Sequence, residues 1–399
     1  MGMSIDSAVV LAAGEGQRLR PLTKYRPKPM LPAANRPILE YVFDALIDAG
    51  IDNLHVVVGY EGDRVQNYFG PTYRNRTLTY HIQEKQLGSG HALLQARDAL
   101  DGDFLVVNGD EVVDTETIET VVEAHSTEDI CTLAVVESAE APMYGAVTLD
   151  GSTVTEFIEK PGTGSYRLLN AGVYAFGPSF FSTVENVERT DGELALTDGI
   201  SDVIDRGGHV RGVTADGLHS EVTYPWDLTA LASTLLEDGR VDEPERSLGV
   251  YVAESASIAD NADLYGPVIV GADAVVEPGA VVGPDVAVGP NTTIEASAVV
   301  RRSVVDSDTR VGVNATVVDS ITGQGVEIRA GATAPGGPAD VRVGEQVHEN
   351  ERLGCVLADR ARLGGGATVT PGLLVGPGAD IAAGVTLRRN VDENTEVQG

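Results

Sequence analysis

The sequence predicts an α/β domain with a largely parallel sheet, followed by a three-sided coil of short parallel strands. Two observations carry this. Short apolar runs (SAVVLAA, NLHVVVG, LTYHIQ, DFLVVNGD) alternate with stretches of helical periodicity over the first 235 residues or so. Beyond the polar stretch LEDGRVDEPERS, aliphatic residues recur every six positions. The boundaries are a domain at 1–235, a linker at 236–249 and the coil at 250–399.

In the first domain the four apolar runs have strand length, and PILEYVFDALIDAG and ALLQARDAL have the helical spacing that would cover a sheet. In the second, the period-six series runs through Val252, Ile258, Leu264, Val270, Val276, Val282, Val288, Ile294 and Val300. It slips by one near RRSVVDSD, with Val299, Val305, Val311 and Val317 as the matching series. It breaks at GATAPGGPADVRVGEQVHENERLG and resumes at Leu363, Val369, Val375, Ile381 and Leu387. A period of six is neither helix nor hairpin. It fits a strand and a turn repeated round three faces, each with one aliphatic residue inward. Such a stack of flat faces predicts a homo-oligomer, a homotrimer or larger.

Charge narrows the function classes. The 399 residues hold 60 acidic and 28 basic side chains, a formal net charge of −32, and only four of the basic residues are lysines. Apolar content is ordinary, so the chain folds. Lysine-poor acidity predicts a cytoplasm of very high salt, where screening relieves the repulsion. It argues against nucleic-acid and anionic-membrane partners. No apolar stretch reaches the length of a transmembrane helix and the N-terminus lacks a signal-type pattern, so the default expectation is a cytoplasmic protein. Cys131 and Cys355 form no metal or redox motif.

The chemistry begins at GEGQRLRPLTKYRPKPMLP, directly after the first apolar run. A glycine-rich turn at a strand's C-terminal end lies where open α/β sheets bind ligands. Gly14 and Gly16 let backbone amides approach phosphate. The stretch is neither a P-loop nor a GxGxxG fingerprint, since Leu19 stands where the third glycine belongs. The Arg18 guanidinium suits a diphosphate, and Lys28, stiffened between Pro27 and Pro29, supplies a mobile point charge. Lys24, Arg20 and Arg26 have no assigned role.

Asp110, in NGDEVV, follows the apolar run DFLVV and can hold a hard cation, or serve only as a turn aspartate. Asp227, in YPWDLTA, is its candidate partner, or a helix-capping residue. In QEKQLGSGHALLQA, Gln83 offers a paired donor and acceptor for a nucleobase, and His91 reads as structural. Glu159 and Asn170 offer groups for sugar hydroxyls, and Lys160 a charge for a sugar phosphate.

Together LAAGEGQRLRPLTKYRPKPMLP, QLGSGHA, NGD, FIEKP, NAG and YPWD resemble the sugar-1-phosphate nucleotidylyltransferase family. Over its whole length the chain is similar to archaeal two-domain proteins that join such an enzyme to an amino-sugar-phosphate acetyltransferase-like domain. The resemblance implies a Rossmann-like domain with a mixed, mostly parallel sheet and a left-handed parallel β-helix. It implies Mg²⁺-dependent transfer of a nucleotidyl group from UTP or dTTP to a hexose 1-phosphate, of glucose or N-acetylglucosamine, with release of pyrophosphate. It assigns Arg18 to the leaving diphosphate, Lys28 to the reacting phosphates, and Asp110 and Asp227 to the metal. Ala12, Ala13, Gly14, Gly16, Gln83, Gly88 and Ser89 match nucleotide positions, and Tyr144, Gly145, Glu159, Lys160 and Asn170 match sugar-phosphate positions.

The coil departs from its family. GVNATVVDS has Val313 where the relatives carry a catalytic histidine and Thr316 where they carry a tyrosine, and APGGPAD lacks their basic residues. His348, the domain's one histidine, lies in the interrupting segment and reads as structural, with a displaced acetyl-transfer base as the alternative. The coil is therefore expected to serve assembly or regulation. A bifunctional enzyme using acetyl-CoA is one alternative, and a non-catalytic assembly or regulatory subunit is another.

Overall fold

Strand-forming aliphatic runs build the first of two compact units. The structure is a computed structural model that describes residues 5–139, 141, 144–162, 164–189 and 192–399. One unit comprises Met1–Glu15, Arg26–Met30 and Ile38–Glu221; the other comprises Gly16–Tyr25, Leu31–Pro37 and Val222–Gly399.

The first unit is Rossmann-like, around a mixed ten-stranded sheet. Its centre is parallel: Ser7–Ala12 lies between Phe104–Asn108 and Asn53–Val58, and Asn53–Val58 pairs with Arg76–Ile82. These are the four runs expected to be strands. Leu168–Phe176 then pairs antiparallel with both Phe104–Asn108 and Cys131–Glu137, which makes the sheet mixed. Strand alternation splits the core. Ala8, Val10 and Ala12 pack with helix α1 (Ile38–Asp48) on one face, while Val9 and Ala13 join a second core on the other. The stretch ALLQARDAL is less helical than its pattern predicts. Its helix is only Ser89–Leu94, after which i→i−3 hydrogen bonds tighten the chain into a 3₁₀ turn at Arg97–Ala99.

The second unit contains the left-handed parallel β-helix. Three sheets of eight, eight and seven strands stack through it, parallel except for Glu245–Ser247, which pairs antiparallel at the edge of one, and inward aliphatic residues form one continuous core. The sequence register needs one correction. Val300 points inward and Val299 outward, because the corner after Val300 is one residue shorter than its neighbours and the next inward residue is Val305. The interrupting segment leaves the coil as an antiparallel hairpin, Pro338–Val343 with Gln346–Arg352, and the parallel stacking resumes after it. The helix Pro225–Glu237 packs near strands Val286–Val288 and Ser303–Val305, whose outward residues Ala287 and Val304 are buried in consequence.

The corrected register has a direct test in denaturant midpoints. Val300→Ala should cost about 2 kcal/mol, from lost methyl burial plus a cavity, and Val299→Ala less than about 1 kcal/mol.

Candidate active site

The site is built at strand ends of the first unit. Ala12 closes the first strand and Ala13 is buried after it, with its carbonyl accepting from the Tyr60 amide. A Cβ on Gly14 would meet nothing within 4 Å, so the backbone there is open to a ligand. At the neighbouring strand end, Gly109 donates its amide to the Leu11 carbonyl, and a side chain on Gly109 would come within 3.0 Å of that oxygen. The absence of one lets Asp110 emerge beside the first strand.

Lys28 meets Asp110 there. Its Nζ lies 2.6 Å from Asp110 Oδ2, at the start of the 3₁₀ turn Lys28–Met30, which the Met30 amide closes onto the Pro27 carbonyl. Only 8% of Lys28 is exposed. Burial works against its ammonium, but Asp110, Glu221 and Glu111 outweigh burial and hold the Lys28 pKa above its ordinary value.

Behind the pair lies a buried carboxylate that sequence reasoning did not assign. Glu111 Oε1 accepts from Asn108 Nδ2 at 2.6 Å, and Oε2 faces His219 Nε2 at 3.4 Å. The short antiparallel pairing of Glu111–Val113 with His219–Glu221 brings these residues together across more than a hundred positions. Gly172 lines this pocket in a left-handed conformation, where a Cβ would stand 2.0 Å from Glu111 Oε2. The available signal was NGDEVV itself, with a charged residue opening an otherwise apolar strand; the partner His219 left none.

The proposed base-binding residues also converge. Gln83, 3% exposed, donates from Nε2 to the Gly88 carbonyl at 3.0 Å and contacts His91 Nδ1 at 2.9 Å. Its amide nitrogen is therefore committed to shaping the turn, rather than offered to a base as expected. His91 serves as its hydrogen-bond partner in the helix Ser89–Leu94, in keeping with a structural role. Gly88 is left-handed, and a Cβ on it would lie 2.4 Å from the Leu194 carbonyl oxygen. Ser89 Oγ accepts from the Leu196 amide at 2.9 Å.

Of the sugar-phosphate candidates, Gly145, Glu159 and Asn170 stand together: a Cβ on Gly145 would lie 3.3 Å from Asn170 Cβ and 3.4 Å from Glu159 Oε2. Tyr144 joins them through its carbonyl, which accepts from the Lys160 amide. Lys160 Nζ lies 3.7 Å from Glu159 Oε1. Asn170 Nδ2 donates to the Tyr174 hydroxyl at 2.6 Å, while its Oδ1 is buried without a hydrogen-bond partner.

Arg18 and Asp227 belong to the second unit. Arg18 is exposed between Gly16, left-handed with its carbonyl held by Thr23 Oγ1, and the buried Leu19. Asp227 occupies the third position of helix Pro225–Glu237 and accepts the Tyr224 and Thr223 amides on Oδ2, at 2.6 and 2.9 Å. It thus performs the capping role open to it. His348 is not on a free loop. It packs on the stacked rings of Tyr224 and Trp226, with centroids 4.4 and 5.2 Å away, and its Nε2 is buried without a partner.

Among the described residues no three or more His, Cys, Asp or Glu side chains converge on one metal position. A lone carboxylate at a strand end, as at Asp110, is compatible with Mg²⁺, which is commonly held by one or two carboxylates and completes its shell with phosphate oxygens and water.

A family description, nucleotidyl transferase, matches residues 7–226, more than half of the chain. The chain belongs to the nucleotidyl transferase family. A second, GMPPB C-terminal domain, matches residues 264–353, within the coil. This nucleotidyl transferase is 32% identical to the Bifunctional protein GlmU of Methanococcus maripaludis, over 98% of this chain and 96% of that protein. The UTP–glucose-1-phosphate uridylyltransferase AglF of Haloferax volcanii is 35% identical over 58% of this chain and 97% of its own length. A solved UDP-glucose pyrophosphorylase from Acinetobacter baumanii superposes with a TM-score of 0.53 at 20% identity, covering 59% of this chain and 94% of that one, which supports the fold alone.

His219 carries a pH prediction. Burial lowers its pKa, but hydrogen bonding and charge from Glu111, with Glu221, outweigh burial and raise it above 6.5. The imidazolium then contributes to stability in full below the unfolded value and ceases to contribute as pH rises through the folded one. In an NMR titration of the imidazole C2 proton, the His219 midpoint should lie above 6.5, and Glu111→Gln should bring it down. A wild-type midpoint below 6.5 would contradict this pairing.

Proposed function

We propose that this nucleotidyl transferase moves a nucleotidyl group from UTP or dTTP to a hexose 1-phosphate, glucose or N-acetylglucosamine 1-phosphate, releasing pyrophosphate. The observation that carries the reading is the Lys28–Asp110 pair, 2.6 Å apart at the end of a parallel strand and beside an open glycine turn. A buried ammonium already paired with a carboxylate is prepared for phosphate: incoming anionic oxygens replace part of what Asp110 supplies, and the positive charge stays where negative charge develops.

The chemistry needs positioning more than a protein nucleophile. The sugar phosphate is ionised at neutral pH, and its oxygen attacks the α-phosphorus in line as pyrophosphate leaves. In this reading Lys28 holds the reacting phosphates and Arg18 grips the leaving diphosphate. Ala12, Ala13, Gly14 and Gly16 close around the nucleoside, and the Gln83–Gly88–Ser89 turn presents its backbone to the base. Tyr144, Gly145, Glu159, Lys160 and Asn170 hold the sugar phosphate, with the unpartnered Asn170 Oδ1 accepting from a sugar hydroxyl. Asp110 and Asp227 would hold Mg²⁺, which when bound supplies charge neutralisation at the phosphates.

The acetyl-transfer alternative lacks support from the residues present. Val313 is exposed with its amide bonded to Glu295, and His348 is spent against two aromatic rings. We assign the coil to assembly as a homotrimer or larger, in a high-salt cytoplasm. No described helix is long and apolar enough to cross a membrane.

Pyrophosphate release across a matrix of nucleoside triphosphates and sugar 1-phosphates, at high salt with Mg²⁺, tests the reading. Turnover should appear with UTP or dTTP and a hexose 1-phosphate; none anywhere in the matrix would overturn it. Lys28→Ala and Asp110→Ala should each lower turnover at least ~10²-fold, about 2.7 kcal/mol of barrier. Near-normal release from either folded variant would refute its assigned role.

A further inference from the structure

Glu111 has no part in the chemistry proposed above, yet the first unit is shaped round it. Its side chain is nine-tenths buried, as is that of His219 beside it. The two residues that follow it, Val112 and Val113, are buried and apolar. A carboxylate taken out of water here is costly unless it is partnered, so its partners show what it is for. They begin with the turn that Glu111 closes. The strand Phe104–Asn108 ends and Glu111–Val113 begins with only Gly109 and Asp110 between them. Asn108 Nδ2 donates to Glu111 Oε1 at 2.6 Å, so the residues flanking Gly109 and Asp110 are clasped to each other. The Asp110 carboxylate, 2.6 Å from Lys28 Nζ, therefore stands on a two-residue turn with a side-chain clasp across its base.

The clasp is held from two further sides. Across the antiparallel pairing of Glu111–Val113 with His219–Glu221, His219 Nε2 faces Glu111 Oε2 at 3.4 Å. On another side the strand Leu168–Phe176 shifts register against Cys131–Glu137 between Asn170 and Tyr174, and Gly172 lies within that irregularity at a φ of 65°. A Cβ there would stand 2.0 Å from Glu111 Oε2 and 2.9 Å from Asn108 Nδ2, so the irregular strand leaves room for both members of the clasp. Asn170 and Tyr174 bound the irregularity, and the Asn170 amide donates to the Tyr174 hydroxyl across it at 2.6 Å. Burial first, and then the charge of Glu111, push the Tyr174 phenol well above its ordinary pKa. Glu111 thus faces both the turn that carries Asp110 and the strand segment that carries Asn170.

We propose that Glu111, clasped by Asn108, is a positioning residue for nucleotidyl transfer: it fixes the Gly109–Asp110 turn against the Gly172 irregularity, and so sets where the Asp110 carboxylate stands relative to the Asn170 amide. All of these residues belong to the first unit. The physical effect is preorganisation. A clasped two-residue turn loses the conformations in which Asp110 points away from Lys28, and misplacement by an ångström is costly to turnover. What the role requires of residue 111 is an acceptor of the right length in a space that Gly172 leaves open. The proposal rests on the reading of Lys28 and Asp110 as the pair that handles the phosphates.

The test uses the full chain. Glu111→Ala removes the clasp, Glu111→Gln keeps an acceptor for Asn108 at nearly the same shape, Asn108→Ala removes the donor, and a double variant, Asn108→Ala with Glu111→Ala, removes both. Two readouts are taken: steady-state pyrophosphate release, and hydrogen exchange at the Gly109 amide, which is bonded to the Leu11 carbonyl. Glu111→Ala should lose about tenfold in kcat, with KM for the triphosphate changed less than about twofold, and its Gly109 amide should exchange at least ~10-fold faster. Glu111→Gln should recover most of the loss. The double variant should lose no more than about twofold beyond Glu111→Ala, because the two residues act as one. Asn108→Ala, which leaves Glu111 on His219, should show the same pattern with about a fivefold loss in kcat, and it carries the test if Glu111→Ala does not fold. A merely structural role would lower the melting temperature and leave kcat of the folded enzyme unchanged. That result, a Gln variant as impaired as the Ala variant, losses that multiply in the double variant, or unchanged exchange would each overturn the proposal. The exchange arm does not depend on the substrate. Faster Gly109 exchange in the variants, in a chain whose wild type turns over nothing, would leave the clasp standing and refute the reading of Lys28 and Asp110.

Discussion

One buried ion pair organises the rest of the first unit's chemistry. An ammonium with 8% of its residue exposed is costly to desolvate, and it persists because Asp110 lies against it and Glu111 and Glu221 lie near. Each requirement of that arrangement leaves a mark on the fold. Two glycines, Gly109 and Gly172, leave the space a side chain would have taken from the Leu11 carbonyl and from Glu111. His219 and Asn108 partner the second carboxylate, so that Glu111 does not remain an uncompensated anion beside Asp110.

The same economy of rigid supports extends outward. Gln83 and the Leu194 backbone lock the turn at Gly88, and Asp227 ties two amides ahead of its helix. In the second unit the stacked coil supplies the Val288 carbonyl to Asn35 and the Glu393 carboxylate to Lys24 and Tyr25, and its hairpin places His348 on the aromatic pair before Asp227. A β-helix suits such a role, because its inward aliphatic column makes each turn a rigid platform for the next.

Much of this was legible in residue order, for reasons of period. Strand and coil positions repeat at two and six residues, so the four parallel strands and nearly every inward aliphatic residue could be read directly; the exception, Val299, arose where one corner is a residue short. Lys28 and Asp110 were legible as separate candidates because each stands beside an element end that the pattern locates. Glu111 with His219, and Asn35 with Val288, were not. Those pairs join residues 108 and 253 positions apart, and no local pattern encodes a long-range hydrogen bond. The particular partners of Gln83 and His348 were hidden for the same reason: the Gly88 carbonyl and the Tyr224–Trp226 ring pair are brought to them by the fold.

The central claim is that Lys28 and Asp110 sustain one another and that the site is built on their pairing. A double-mutant cycle on unfolding free energy measures this, using Lys28→Ala, Asp110→Ala and the double variant without metal or nucleotide. The pairing predicts a coupling of about 1 kcal/mol or more, with the double variant less destabilised than the sum of the singles. Additivity to within about 0.5 kcal/mol would contradict it.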